Sequence, residues 1–219
     1  MKALVAGATG ETGQRIVRQL VDRGIPVRAL VRDLEKAKSL LPEGVELVVG
    51  DVLRVDTIAP AIEGCTHLFC ATGARPSLDP TGPYLVDFEG TKNLVNAAKT
   101  AEIQHFVLVT SLCVSKLLHP LNLFWGILVW KKWAEEYLQR SGLTYTIVRP
   151  GGLKNEDNND RIVMAGMDSL FEGSIPRTKV AQVCVEAVSN EASRNKVVEI
   201  VARSDAPEYG FAEMFGAVG

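Results

Sequence analysis

The chain has 219 residues, 47% of them hydrophobic and 23% charged, with a formal net charge of −2. That balance lies outside the disordered, collagen-like and membrane-spanning classes. With no Lys/Arg run of five residues, it also leaves no electrostatic footprint for nucleic acid.

Taken in chain order, short apolar runs alternate with helical patterns. Residues 2–6 read as a buried strand and residues 12–23 as a helix. On that helix Ile16, Val17, Leu20 and Val21 share one face, while Arg15, Arg18, Asp22 and Arg23 face water. Gly24 is placed to end it. Residues 27–31 and 45–49 form the second and third strands, with a short charged helix at 35–41 between them. Residues 67–71 are the fourth strand, 90–100 a helix, 106–110 the fifth strand, 130–141 a helix and 145–149 the sixth strand. Beyond Gly151 the pattern loosens into a polar loop at 154–161, a helix at 179–189 and a late strand at 197–201. Strands apolar on both sides, alternating with helices, imply a doubly wound parallel sheet of the Rossmann type. With no internal repeat or linker, residues 1–219 are expected to form one α/β domain, the part from about 151 supplying the substrate side.

The first strand starts almost at Met1, so no signal peptide is expected. No segment reaches the roughly 20 apolar residues that span a bilayer. The nearest, from Leu117 to Trp130, is short and is interrupted by Pro120. It suits core packing, a substrate wall, a subunit contact or a membrane-surface contact. Trp130, Trp133 and Tyr137 form one helical stripe, the pattern of a core face. The four cysteines (Cys65, Cys70, Cys113, Cys184) have no CxxC or metal-ligand spacing and read as reduced thiols of a cytoplasmic protein. No metal site is expected.

The chemistry concentrates at Gly7-Ala8-Thr9-Gly10-Glu11-Thr12-Gly13, between the first strand and the first helix. Glycine there permits a tight turn at Gly7, backbone approach to a phosphate at Gly10 and close helix–strand packing at Gly13. The N–H groups of Glu11, Thr12 and Gly13 at the helix start would face an anion. Strand followed by glycine loop followed by amphipathic helix is the context a dinucleotide pyrophosphate requires. About 20 residues on, Arg32-Asp33 ends the second strand. Arg32 can fork a 2′-phosphate while Asp33 caps the next helix, which favours NADP(H) over NAD(H). The alternative leaves Arg32 in solvent and gives the ribose to Asp33. Asp51 and Val52 follow the third strand, placed to flank an adenine. Ala71, Thr72 and Gly73 end the fourth, where the nicotinamide-side ribose would run. The acidic run from Asn155 to Asp160 lacks the Gly and terminal Glu of a calcium loop and reads as a mobile polar loop, with a lid as one use. His67, His105 and His119 pair with no evident nucleophile and read as core or surface histidines.

With these stretches, and with Val109-Thr110-Ser111, Trp130-Lys131-Lys132-Trp133-Ala134-Glu135 and Arg149-Pro150-Gly151-Gly152-Leu153, the chain resembles an atypical short-chain dehydrogenase/reductase. It is most similar to the NAD(P)H-binding group of NmrA-like proteins, biliverdin reductase B and plant plastid and cyanobacterial members. The resemblance implies NADP binding by the loop glycines and Arg32, and nicotinamide contact by Pro150, Gly151 and Gly152. It also puts Ser111 and Lys131 at the catalytic Ser and Lys positions, with Lys131 on the ribose. A photosynthetic source would place the protein in the plastid stroma or at the thylakoid. The departure is Ile127, which stands where the family's proton-handling Tyr would be, four residues before Lys131. Two readings follow. One is an NADPH-dependent reductase that delivers hydride to a small conjugated or aromatic acceptor without that Tyr. The other is a non-catalytic NADP(H)-binding redox sensor or scaffold. An epimerase or dehydratase is a weaker third, since it too would want the Tyr.

Overall fold

Side chains in a strand alternate between the two faces of a sheet, so a strand covered on both sides must be apolar at every position. β1 (Ala3–Ala6), β4 (His67–Cys70) and β5 (His105–Val109) are buried throughout. With β2 (Val27–Val31), β3 (Glu46–Val49), β6 (Tyr145–Pro150), β8 (Arg161–Ala165) and β10 (Lys196–Arg203) they form one eight-stranded sheet, in the order β3-β2-β1-β4-β5-β6-β10-β8. All neighbours are parallel except β8, which runs antiparallel to β10. The order reverses between β1 and β4, which opens a crevice at the carboxyl ends of those strands. The computed structural model describes residues 1–74, 78–123 and 125–219.

The two sheet faces build two cores from alternate residues. Ala3, Val5, Ala29, Val107 and Val198 pack under α1 (Glu11–Asp22) and α6 (Arg177–Ala187). Leu4, Ala6, Leu30, Leu68, Phe106 and Ile147 pack on the opposite side. There they meet α3 (Val55–Ile62), α4 (Gly90–Thr100) and α5 (Ile127–Gln139). α1 ends as its sequence implies, with Gly24 just past the helix at φ +68° and its N–H donated to Val21 O at 2.8 Å. Asp33 caps α2 (Leu34–Leu40) by accepting the Lys36 N–H at 3.0 Å.

Several elements differ from expectation. α3 forms despite Pro60, which gives no N–H to the Asp56 carbonyl one turn before it. α5 starts at Ile127, a turn's length before the Trp130 start read from the sequence. α4 is preceded by a π-helical turn, Pro83–Glu89. The C-terminal third adds β7 (Gly152–Lys154) paired with β9 (Ser174–Pro176), the antiparallel β8, and α7 (Phe211–Ala217). Of the stripe Trp130-Trp133-Tyr137, only Tyr137 packs against the core. Trp133 is exposed and Trp130 half-buried, and both pack edge-on in an aromatic cluster with Tyr84 and Phe88. Tyr137 is half-buried and donates its hydroxyl to Asn96 Oδ1 at 2.8 Å. Before α5, Leu117, Leu118 and Leu123 are exposed, while Phe124 lies outside the described residues. No helix among the described residues is long and apolar enough to cross a membrane.

Candidate cofactor cleft and active site

The carboxyl ends of β1, β2, β3 and β4 surround a cleft of about 370 Å³. Gly7, Thr9, Gly10, Arg32, Asp51, Val52, Ala71, Thr72 and Gly73 line it, together with Leu30, Gly50, Gly82 and Val86. Nine of the expected binding residues are therefore gathered from four strand ends into one place. Glu11 is exposed at the start of α1 and pairs with Arg15 at 3.0 Å. Thr12 is buried and its hydroxyl accepts from Arg177 Nη1 at 3.4 Å.

The three loop glycines are there for different reasons. Gly7 has φ +80°, and a Cβ on it would stand 2.6 Å from Ala71 O. A Cβ on Gly13 would overlap Gly7 O, so α1 can approach the loop only at glycine. Gly10 has an extended backbone, φ −80° and ψ 160°, open to any residue. A Cβ there would meet only Gly7 O at 3.2 Å. The fold demands the outer two, while Gly10 keeps the cleft floor bare of side chains. A backbone floor at a helix N-terminus, with a guanidinium at one rim, suits a phosphorylated dinucleotide. Arg32 is exposed and has no ion-pair partner among the described residues, whereas Asp33 is committed to its cap.

Lys131 lies in the second turn of α5, with Ile127 one turn before it on the same face. Its Nζ bonds Asp87 Oδ1 at 2.6 Å and stands 3.9 Å from where a Cβ would sit on Gly73. Asp87 is buried, and its other oxygen accepts the Ala74 N–H at 3.2 Å. This carboxylate ties Lys131 to the loop after β4. The only sequence signal for it was one acidic residue in an otherwise apolar Pro83–Phe88 run, and the π-helical turn that aims it inward could not be read ahead.

A second cleft, of about 340 Å³, opens at the ends of β5 and β6. It holds Ser111, Pro150, Gly151 and Gly152, with Thr110, Leu112, Cys113, His119, Leu121, Leu153, Phe171, Glu172 and Gly173. Ser111 and Lys131 thus stand apart, Ser111 in the second cleft and Lys131 against the rim of the first. Cys113 Sγ donates to Phe171 O at 3.3 Å, and burial pushes its thiol pKa up. Beneath this cleft Arg149 is fully buried. It bonds Glu135 at 2.7 Å, Asp168 at 2.9 Å and Glu199 at 3.1 Å. Burial works against its charge, but the hydrogen bonds and charges of those carboxylates outweigh burial and raise its pKa. The polar loop after β7 is held down, with Asn155 accepting from Arg15 and Arg177 and Asn158 O from Lys179. Of the histidines, His67 and His105 stack in the interior and His119 lines the second cleft.

Residues 7–191 match the model of the NAD(P)H-binding family, and the chain belongs to that family. It is 46% identical to a chloroplast protein of Arabidopsis thaliana over 99% of this chain and 82% of that one. It is 39% identical to the chloroplast protein TIC 62 of Pisum sativum, covering 93% of this chain but only 43% of that protein. Identity to the sanguinarine reductase of Eschscholzia californica is 32%, over 94% of this chain and 90% of that enzyme. Among solved structures, a putative NAD-dependent epimerase/dehydratase of Bacillus halodurans superposes with a TM-score of 0.88 at 28% identity, covering 99% of each chain. The fold is thus the Rossmann type expected from the sequence, in a family of NAD(P)H-binding, reductase-like proteins.

Proposed function

We propose that the chain is an NADPH-dependent reductase that delivers hydride to a small conjugated or aromatic acceptor without an active-site Tyr. The carrying observation is the pairing of a bare-floored cleft at the glycine loop with a largely apolar second cleft at the ends of β5 and β6. Gly7, Thr9, Gly10 and the N-terminal amides of α1 would hold the pyrophosphate. Asp51 and Val52 would flank the adenine, and Ala71, Thr72, Gly73 and Lys131 the second ribose. Arg32 would take the 2′-phosphate, which selects NADP(H) over NAD(H). Ser111, Pro150, Gly151 and Gly152 would face the nicotinamide and the acceptor. When bound, the cofactor supplies the hydride, while the protein orients the acceptor and excludes water.

Residues from 151 onward furnish Gly151, Gly152, Leu153, Phe171, Glu172 and Gly173 to the second cleft. This supports one domain whose last third forms the substrate side. The likeness to a sanguinarine reductase favours the reductase reading. The chloroplast relatives favour a plastid setting over the cytoplasm. The exposed leucines between Leu117 and Leu123 support a protein or membrane-surface contact there. One observation favours the non-catalytic alternative: Lys131 is already neutralised by Asp87. Incubation with NADPH and a panel of flavins, quinones and tetrapyrroles decides between them. The reductase reading expects NADPH oxidation above background with at least one. Oxidation with none, alongside tight NADPH binding, leaves the sensor or scaffold.

A further inference from the structure

Hydride delivery to a conjugated carbonyl leaves negative charge on oxygen, and a cleft that lowers that barrier needs a hydrogen-bond donor where the charge grows. Ile127 offers none. Lys131 is held by Asp87, Cys113 by Phe171 O, and Arg149 by three carboxylates. Thr110 already donates its hydroxyl to Glu135 Oε1 at 2.6 Å, so among the protic side chains that line the second cleft Ser111 and His119 remain, beside the exposed carboxylate of Glu172.

His119 is prepared for this role by its own turn. Its Nδ1 accepts the Leu121 N–H at 3.2 Å. A backbone amide can only donate, so Nδ1 carries a lone pair and the neutral ring keeps its proton on Nε2. The turn is fixed on both sides: His119 N–H donates to Lys116 O at 3.1 Å, and His119 O accepts from Asn122 N at 2.9 Å. Asn122 Oδ1 in turn accepts the Leu128 N–H at 3.0 Å, which anchors the turn to the start of α5.

We propose that His119, as a neutral imidazole, acts with Ser111 as the oxyanion-binding pair of the second cleft, and that the acceptor is a carbonyl-bearing conjugated ring such as a quinone. The inference rests on the reductase reading above. The hydride, with its electron pair, comes from the reduced nicotinamide dinucleotide, which is thereby oxidised. As the new bond to the acceptor forms, the carbonyl π electrons move to oxygen. His119 Nε2–H and Ser111 Oγ–H bond that oxygen, and solvent later supplies the proton. His119 is therefore a charge stabiliser and not the acid.

The test uses equilibrium binding of 4-nitrophenolate and its neutral ether 4-nitroanisole to the full chain, with and without NADP⁺, at pH about 8. The wild type is expected to prefer the phenolate by about tenfold, the worth of one charge-assisted hydrogen bond. His119→Leu should erase that preference, and His119→Gln, whose amide can still donate, should restore part of it. Equal binding of both probes by the wild type, or a preference that survives in His119→Leu, would overturn the assignment. In turnover with NADPH and menadione, His119→Leu is expected to lose about 10²-fold in kcat. Intact His119-dependent phenolate binding with no NADPH oxidation by the wild type, with menadione or any member of the flavin, quinone and tetrapyrrole panel, would sink the reductase reading and leave the donor assignment standing.

Discussion

The loop glycines separate what the fold requires from what a ligand requires, because a methyl group meets different surroundings at each. At Gly13 it would overlap a backbone oxygen that belongs to the same tight loop and has no room to yield. Gly13→Ala is therefore expected to lower stability by about 1–3 kcal/mol, the usual range for overpacking. At Gly10 the nearest atom is 3.2 Å away and the backbone is ordinary, so Gly10→Ala should keep most of the stability. It should nevertheless weaken NADPH binding by about tenfold or more, because the methyl stands where an anion must approach the amides. Thermal melts and dye-free binding titrations of the two variants read the contrast directly. A Gly10→Ala protein that binds NADPH like the wild type would remove the phosphate role from that glycine. The triplet and its context were legible in the sequence. Asp87 was not, because its burial depends on the π-helical turn and on a lysine 44 residues away.

Between elements, the strongest fixed point is the buried charge cluster that joins α5, β6, β10 and the loop after β8. Arg149 is surrounded by Glu135, Glu199 and Asp168, and Glu199 also accepts the N–H groups of Asp168, Ser169 and Leu170 at 2.7–2.9 Å. Removing the cation strands carboxylates in the interior, so Arg149→Met should cost about 3–5 kcal/mol in denaturant unfolding. Glu199→Gln should speed amide exchange at residues 168–170, next to the second cleft, and leave exchange in α1 unchanged. A second interior group sets a pH dependence. His105 lies between strands with Nε2 2.8 Å from Thr146 Oγ1, and burial lowers its pKa to about 4 from 6.5. The unfolded chain therefore binds more protons than the folded one between pH 6.5 and 4. Stability then falls as pH drops through that window and levels off, for this group, below it. The loss amounts to ~3 kcal/mol, and His105→Gln should remove that share of the slope. The sequence showed the strands and helices that carry these groups. It did not show α3, β7, β8, β9 or α7: β7, β9 and α7 are too short for periodicity to register, β8 is a five-residue edge strand after a polar loop, and α3 contains a proline that reads as a breaker.

For the whole molecule, the sheet order places the glycine loop, Arg32, Asp51 and Gly73 at the carboxyl ends of four consecutive strands, β3-β2-β1-β4, that include the switch point, although up to 66 residues separate them along the chain. That convergence was foreseeable because parallel strands linked by helices must all end on the same side. The second cleft was only half foreseeable. Ser111 and the Pro150–Gly152 segment follow from strand ends, whereas His119, Phe171 and Glu172 come from connections that carry no periodic signal. The apolar stretch Leu117–Trp130, for which core packing was one of four readings, buries Leu128 but leaves Leu117, Leu118, Leu121 and Leu123 exposed, a split that no periodicity announces. The proposed cofactor turns on Arg32 at the end of β2, whose guanidinium has no ion-pair partner among the described residues and would select a 2′-phosphorylated dinucleotide. The most direct test is a side-by-side titration of the wild-type chain with NADPH and NADH. The dissociation constant for NADPH should be lower by about tenfold or more, as expected for a charge-assisted contact made by only one of the two ligands. Equal or tighter binding of NADH would contradict the assignment of Arg32 and with it the proposed cofactor.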